Sequence, residues 1–123
     1  MSWTPLHLHS HYSLLDGLSR PSQIASRCSE LGHASCALTD HGTISGAVAF
    51  TQAMKDKNIK PILGCEFYLS QESATIKSPE NRGLSHLCVL AKNKKGCSLS
   101  YKGAALFNFI RKILLPRRLT ARI

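Results

Sequence analysis

Short apolar runs alternate with amphipathic stretches from residue 5 to residue 90, and this alternation limits the available folds more than any other feature of the chain. Leu6 and Leu8 alternate with His7 and His9 over residues 5–9, the period-two pattern of a short strand. Residues 12–17 read as a loop, with Asp16-Gly17 as its turn signal. A helix starts near Pro21, where proline suits the first turn, and carries the stripe Ile24, Cys28, Leu31 before Gly32 stops it. Residues 35–39 form a buried strand around Cys36, Ala37 and Leu38. A second helix over residues 45–57 carries Ala47, Phe50 and Met54, favours Lys55 and Lys57 near its C-terminal end, and stops at Asn58. Residues 60–64 are a third strand, extended on through 66–70, and the polar stretch 71–85 with Pro79 is a loop. Residues 86–90 are a further strand. Strands and helices in this order predict an α/β fold, a parallel sheet with crossover helices. A closed barrel of this kind needs about 200–250 residues. The chain has 123, so the expectation is a partial barrel of three to four strands, or a small α/β layer.

The residues that carry chemistry fall at the ends of those strands. His7 and His9 point to one face of an extended segment, so both can reach one metal ion. Asp16 lies in the next loop, His41 just past the second strand after Asp40, and Glu66 just past the third. Loops that follow parallel strands converge on one rim, which brings these positions within reach of each other. His86 opens its strand, so either that strand runs antiparallel or the site sits lower. Imidazole and carboxylate donors suit zinc, manganese or iron rather than calcium. Two or more such ions held together clamp a phosphate and acidify a water for in-line attack. No nucleophilic side chain is needed, and no G-x-S-x-G turn is present. Plainer readings stand beside this one. Asp40 either orients a neighbouring ligand or is simply the turn residue before Gly42. Glu66 also reads as an ordinary ion-pair partner, and His11 and His33 read as solvent or loop histidines.

Charge divides the chain in two. Residues 1–91 hold seven basic and seven acidic side chains, whereas residues 92–123 hold nine basic and none acidic, and the whole net charge of +9 belongs to the end. The expected division is 1–96 and a basic tail at 97–123. The tail has three readings: out-of-frame sequence, an amphipathic helix that meets nucleic acid or a membrane surface through Arg111, Lys112, Arg117 and Arg118, or an ordinary helix that closes the barrel. The cysteines, Cys28, Cys36, Cys65, Cys88 and Cys97, form no C-x-x-C pair and read as buried, reduced thiols. The first residues lack a basic stretch followed by an apolar one, and no run reaches the length of a membrane span. A cytoplasmic location is expected.

Four blocks follow one another in order: Pro-Leu-His-Leu-His-Ser-His-Tyr-Ser-Leu-Leu-Asp-Gly over 5–17, Ala-Leu-Thr-Asp-His-Gly over 37–42, Ile-Lys-Pro-Ile-Leu-Gly-Cys-Glu-Phe-Tyr over 59–68, and His-Leu-Cys-Val-Leu-Ala-Lys-Asn over 86–93. Over about residues 3–96 the chain closely resembles the PHP (polymerase and histidinol phosphatase) domain that opens bacterial-type replicative DNA polymerase III alpha subunits. Leu-Leu-Asp-Gly over 14–17 and Gly-Cys-Glu-Phe-Tyr over 64–68 resemble the polymerase branch in particular. The resemblance implies a distorted seven-stranded (β/α) barrel with up to three divalent ions, zinc or manganese or else iron. It implies His7, His9, Asp16, His41, Glu66 and His86 as ligands, and a metal-dependent phosphoesterase or 3′→5′ exonuclease activity. It also implies DNA and replisome subunits as partners of the parent polymerase. The family's last ligands, a Cys or His and then Asp-x-His, have no match after residue 96, and neither does the polymerase palm. The site is expected to be partial. Two alternatives are a free-standing PHP phosphatase and a non-catalytic module that binds through its basic tail.

Overall fold

A proline in the first turn and a left-handed glycine after the last bracket the first helix of the chain, α1 (Pro21–Glu30), with Gly32 at φ 67°. The computed structural model describes residues 3–70, 84–93, 95, 96 and 98. The expectations for residues 71–83 and for the tail residues Arg111, Lys112, Arg117 and Arg118 lie outside the described residues. The order after α1 is β1 (Ser35–Leu38), α2 (Ala47–Asp56), β2 (Lys60–Ser70) and β3 (Leu84–Leu90).

Both helices press one apolar stripe into a shared core. Ile24, Ala25 and Cys28 of α1 meet Phe50 and Met54 of α2, Cys36 and Leu38 of β1, and Ile59. Leu31 does not complete its stripe and is 52% exposed. It is the C-cap residue, and the chain is already turning there toward the left-handed Gly32, so its side chain leaves the helix face. Asn58 ends the α2 turn at φ 55°, a conformation asparagine tolerates better than most residues, and the Ile59 N–H donates back to the Met54 carbonyl at 2.9 Å. The free thiols Cys28, Cys36 and Cys65 are buried.

The sheet has the order β1-β2-β3. β1 and β2 are parallel, with Ser35 beside Lys60 and Leu38 beside Leu63, and the same register recurs further on where His41 bridges Glu66. β3 is antiparallel to β2, with Gly64 opposite Leu90 and Ser70 opposite Leu84. The sheet is therefore mixed rather than wholly parallel, and Leu84 and Ser85 belong to the strand, not to the preceding loop. A parallel return needs a crossover, usually a helix, and the polar sequence between the two strands lacks the apolar stripe of one.

Residues 5–9 are not a regular strand. The Ala37 and Thr39 N–H groups, two residues apart on the β1 side, donate to Pro5 and Leu8 carbonyls three residues apart, each at 2.8 Å. The segment thus carries one residue too many for a ladder. The N–H of Leu8 goes to Thr39 Oγ1 at 3.0 Å instead. Among the described residues, no helix is long and apolar enough to cross a membrane.

Candidate metal centre

Side-chain alternation along β2 gives its two faces different work. Leu63 packs on the main core, and Cys65 and Phe67 form a second buried cluster with Ile44 and Val89. Glu66 turns the other way, with only 4% of its surface exposed. Its Oε2 lies 2.8 Å from His7 Nε2 and 2.6 Å from His9 Nε2, and the two nitrogens are 3.1 Å apart. Its Oε1 lies 3.2 Å from His86 Nδ1. The irregular segment 7–9 supplies the first pair, and the antiparallel register of β3 supplies the third histidine. The bridge between the β1 extension and β2 sets His41 beside Glu66: the Glu66 N–H donates to the Asp40 carbonyl at 3.1 Å and the Gly42 N–H to the Glu66 carbonyl at 2.8 Å.

Asp16 joins from the turn after His9. Its Oδ2 contacts His9 Nδ1 and lies 3.8 Å from His41 Nδ1. Ser13, fully buried, holds this arrangement, because its hydroxyl donates to Asp16 at 2.8 Å and accepts the His41 N–H at 3.0 Å. Asp40 does not face His41. Its carboxylate accepts the Ser10 N–H at 2.6 Å and the Ser10 hydroxyl at 2.9 Å, which ties the residue after His9 to the end of β1. Gly17 lets the turn close, since a Cβ there would lie 2.1 Å from the Ser10 carbonyl oxygen. His7, His9, Asp16, His41, Glu66 and His86 are thus brought into one cluster. His11 packs on Tyr12 and His33 on Trp3. Sequence reasoning passed over Ser10, Ser13 and Tyr68. The first two are short polar residues spaced through a run rich in histidine, which was the available signal.

Burial alone would raise the pKa of Glu66, but hydrogen bonds from His7 and His9, together with the nearby His41, hold it below its ordinary value. Burial lowers that of His41, against the pull of Glu66 and Asp16, so its imidazole is neutral at neutral pH. Burial raises Asp40, only partly offset by Ser10. Burial pushes Cys65 up to about 12 and Cys88 above its ordinary value, so neither is a ready thiolate.

The donors suit a cation on three counts. His9 faces a carboxylate through each ring nitrogen, Glu66 at Nε2 and Asp16 at Nδ1. With an Nδ1–H turned to Asp16, its Nε2 lone pair would be presented to a cation beside Glu66. His41 Nε2, moreover, is buried with no hydrogen-bond partner among the described residues. Donors about 2.1 Å from one ion lie about 3.0–3.4 Å from one another, close to the spacing of the His7, His9 and Glu66 atoms. These three groups all fall within 4.8 Å of one another.

A family profile described as the PHP domain matches residues 5–106. The chain belongs to the PHP domain family. This PHP chain is 44% identical over 95 residues to the DNA polymerase III subunit alpha of Helicobacter pylori, a match that covers 77% of the chain and 8% of that protein. It is 44% identical over 98 residues to that of Treponema pallidum, with 78% and 8% covered. The matched region is the N-terminal PHP domain of the alpha subunit. The PHP chain spans about 8% of the length of the curated relatives it matches. An amidohydrolase from Chromobacterium violaceum, solved with bound sulfate and no metal, superposes with a TM-score of 0.65 at 27% identity over 89% of the chain and 33% of that protein. A Bifidobacterium adolescentis protein described as a metal-dependent phosphoesterase gives 0.65 at 20% identity over 90% and 34%, a likeness of fold. The α/β arrangement is that of a partial distorted barrel.

Proposed function

We propose that this PHP chain is the opening part of a replicative DNA polymerase III alpha subunit, and that its histidine–carboxylate cluster holds divalent cations for cleavage of phosphate esters. The observation that carries the reading is the buried Glu66 carboxylate, met by His7, His9 and His86, beside a buried His41 Nε2 that has no hydrogen-bond partner among the described residues. His7, His9 and Glu66 Oε2 would hold one cation. Glu66 Oε1, His86, His41 and Asp16 line the adjoining space for a second. Nitrogen with hard oxygen donors favours zinc or manganese, with iron as a third choice. The complete domain would take up to three ions.

Cations bound there supply charge that stabilises an attacked phosphate and makes a nearby water more acidic. The chain's own residues prepare the site for them. Glu66 is ionised at neutral pH and neutralises cationic charge. His41 is neutral there and offers a lone pair. Asp16 and Ser13 orient His9 and His41, and the Asp40–Ser10 pair fixes the backbone beside His9. The substrate class is a phosphodiester, the 3′ end of a DNA strand in the parent enzyme, where DNA and replisome subunits are the partners in the cytoplasm.

The test is metal content. The folded 123-residue chain, dialysed against zinc or manganese, should retain about one ion or more, and Glu66→Gln should weaken binding by at least about 100-fold. A folded chain that retains less than about one ion refutes the proposal.

A further inference from the structure

Tyr68 has no role in the reading above, yet its ring lies inside the cluster. It follows Glu66 by two positions on β2, so the pleat turns both toward one face. Between and before them, Phe67 and Cys65 occupy the buried cluster on the other face. Tyr68 belongs to neither core. The register of β3 places it opposite His86, and the bridge from His41 to Glu66 sets His41 diagonally across from it on the other side. The ring centroids are 4.3 Å apart for Tyr68 and His41, 5.0 Å for Tyr68 and His86, and 4.7 Å for the two histidines. The interplanar angles are 38°, 70° and 81°. Each ring touches the other two.

Among the described residues, His41 Nε2 has no hydrogen-bond partner, and Asp16, at 3.8 Å, is too far from its Nδ1 for a hydrogen bond. The terminal torsion of an imidazole is broad, so ring packing bears on the plane it adopts. Tilted and edge-on contacts at these distances are the arrangements aromatic rings favour.

We infer that Tyr68 is a positioning residue, whose aromatic ring packs against both His41 and His86 and holds their planes for a cation. The inference rests on the metal reading above. The ring contacts with His41 and His86 carry that role.

The experiment is a calorimetric titration of the 123-residue chain with Mn²⁺, using Tyr68→Phe, Tyr68→Leu and Tyr68→Ala. Circular dichroism melts without metal are run alongside. Tyr68→Phe should bind within about twofold of wild type, and the Leu and Ala variants about 10–100-fold more weakly, with metal-free melting points little changed. Wild-type affinity in a folded Leu or Ala variant overturns the inference. So does a Phe variant as weak as Leu, which moves the role to the hydroxyl. Loss of the fold in both Leu and Ala makes Tyr68 a structural residue and also overturns it. A wild-type chain that binds no Mn²⁺ fails differently, because it removes the metal reading itself.

Discussion

A carboxylate buried as deeply as Glu66 survives only where its lone pairs face positive or donating groups. Three histidines meet that need, and the carboxyl is held below its ordinary pKa despite burial. Asp40 is buried too, and burial raises its pKa, only partly offset by the hydrogen bonds it accepts from the N–H and hydroxyl of Ser10. The two acids differ in what surrounds them. Asp40→Ala strands two buried donors and should cost about 2–3 kcal/mol by urea denaturation of the metal-free chain. Asp40→Asn keeps an acceptor for Ser10 and sheds a buried charge, so it should cost less than the Ala variant, about 1 kcal/mol.

Among the elements, the turn from Ser10 to Gly17 carries more of the site than either helix. Ser13 N–H donates to the Ser10 carbonyl at 2.9 Å, and Asp16 and Gly17 N–H groups return to the Ser13 carbonyl at 3.1 and 2.9 Å. This local net swings Asp16 back against His9. Gly17→Ala would force a Cβ onto the Ser10 carbonyl and push the turn outward. Mn²⁺ affinity should fall about tenfold or more while α1, α2 and β1 keep their circular dichroism, and unchanged affinity would show that the turn does not position Asp16. By contrast, Phe50 lies wholly inside the main core and far from this net in sequence. Phe50→Ala should cost about 3–5 kcal/mol of stability, read from the urea midpoint of the metal-free chain.

The molecule as a whole should lose stability in acid. The His41 pKa is depressed in the fold from its ordinary value of 6.5, so the unfolded chain takes up that proton first as pH falls below this value. Glu66 is depressed from 4.5, so its contribution is complete above that value and is lost as pH falls through the folded pKa. Asp40, raised from 3.8, acts in the opposite sense and softens the acid end. The melting temperature of metal-free protein should therefore decline from about pH 7 downward, with the first loss below about 6.5. A flat profile from there to about 4.5 would contradict the assignment. Metal should raise the same melting temperature, by about 2.7 kcal/mol of stability at a hundredfold excess over Kd, and a chelator should remove the gain.

Local chemistry made much of this readable in advance. Pro21, Gly32 and Asn58 mark helix ends through their own backbone preferences, and the apolar periods of α1, α2 and β2 follow from which residues avoid water. The pairing of His7 with His9 needed nothing beyond their spacing. Other features depend on contacts between segments far apart in the chain. The extra residue between Pro5 and Leu8 exists because Thr39 takes the Leu8 N–H. His86 reaches Glu66 because β3 pairs antiparallel. Ser13 becomes a brace only once His41 arrives above it. Long-range register is a property of two segments together, and neither segment encodes it alone. So the residue types of the cluster were legible from their order in the chain, while the bonds that orient them were set by folding.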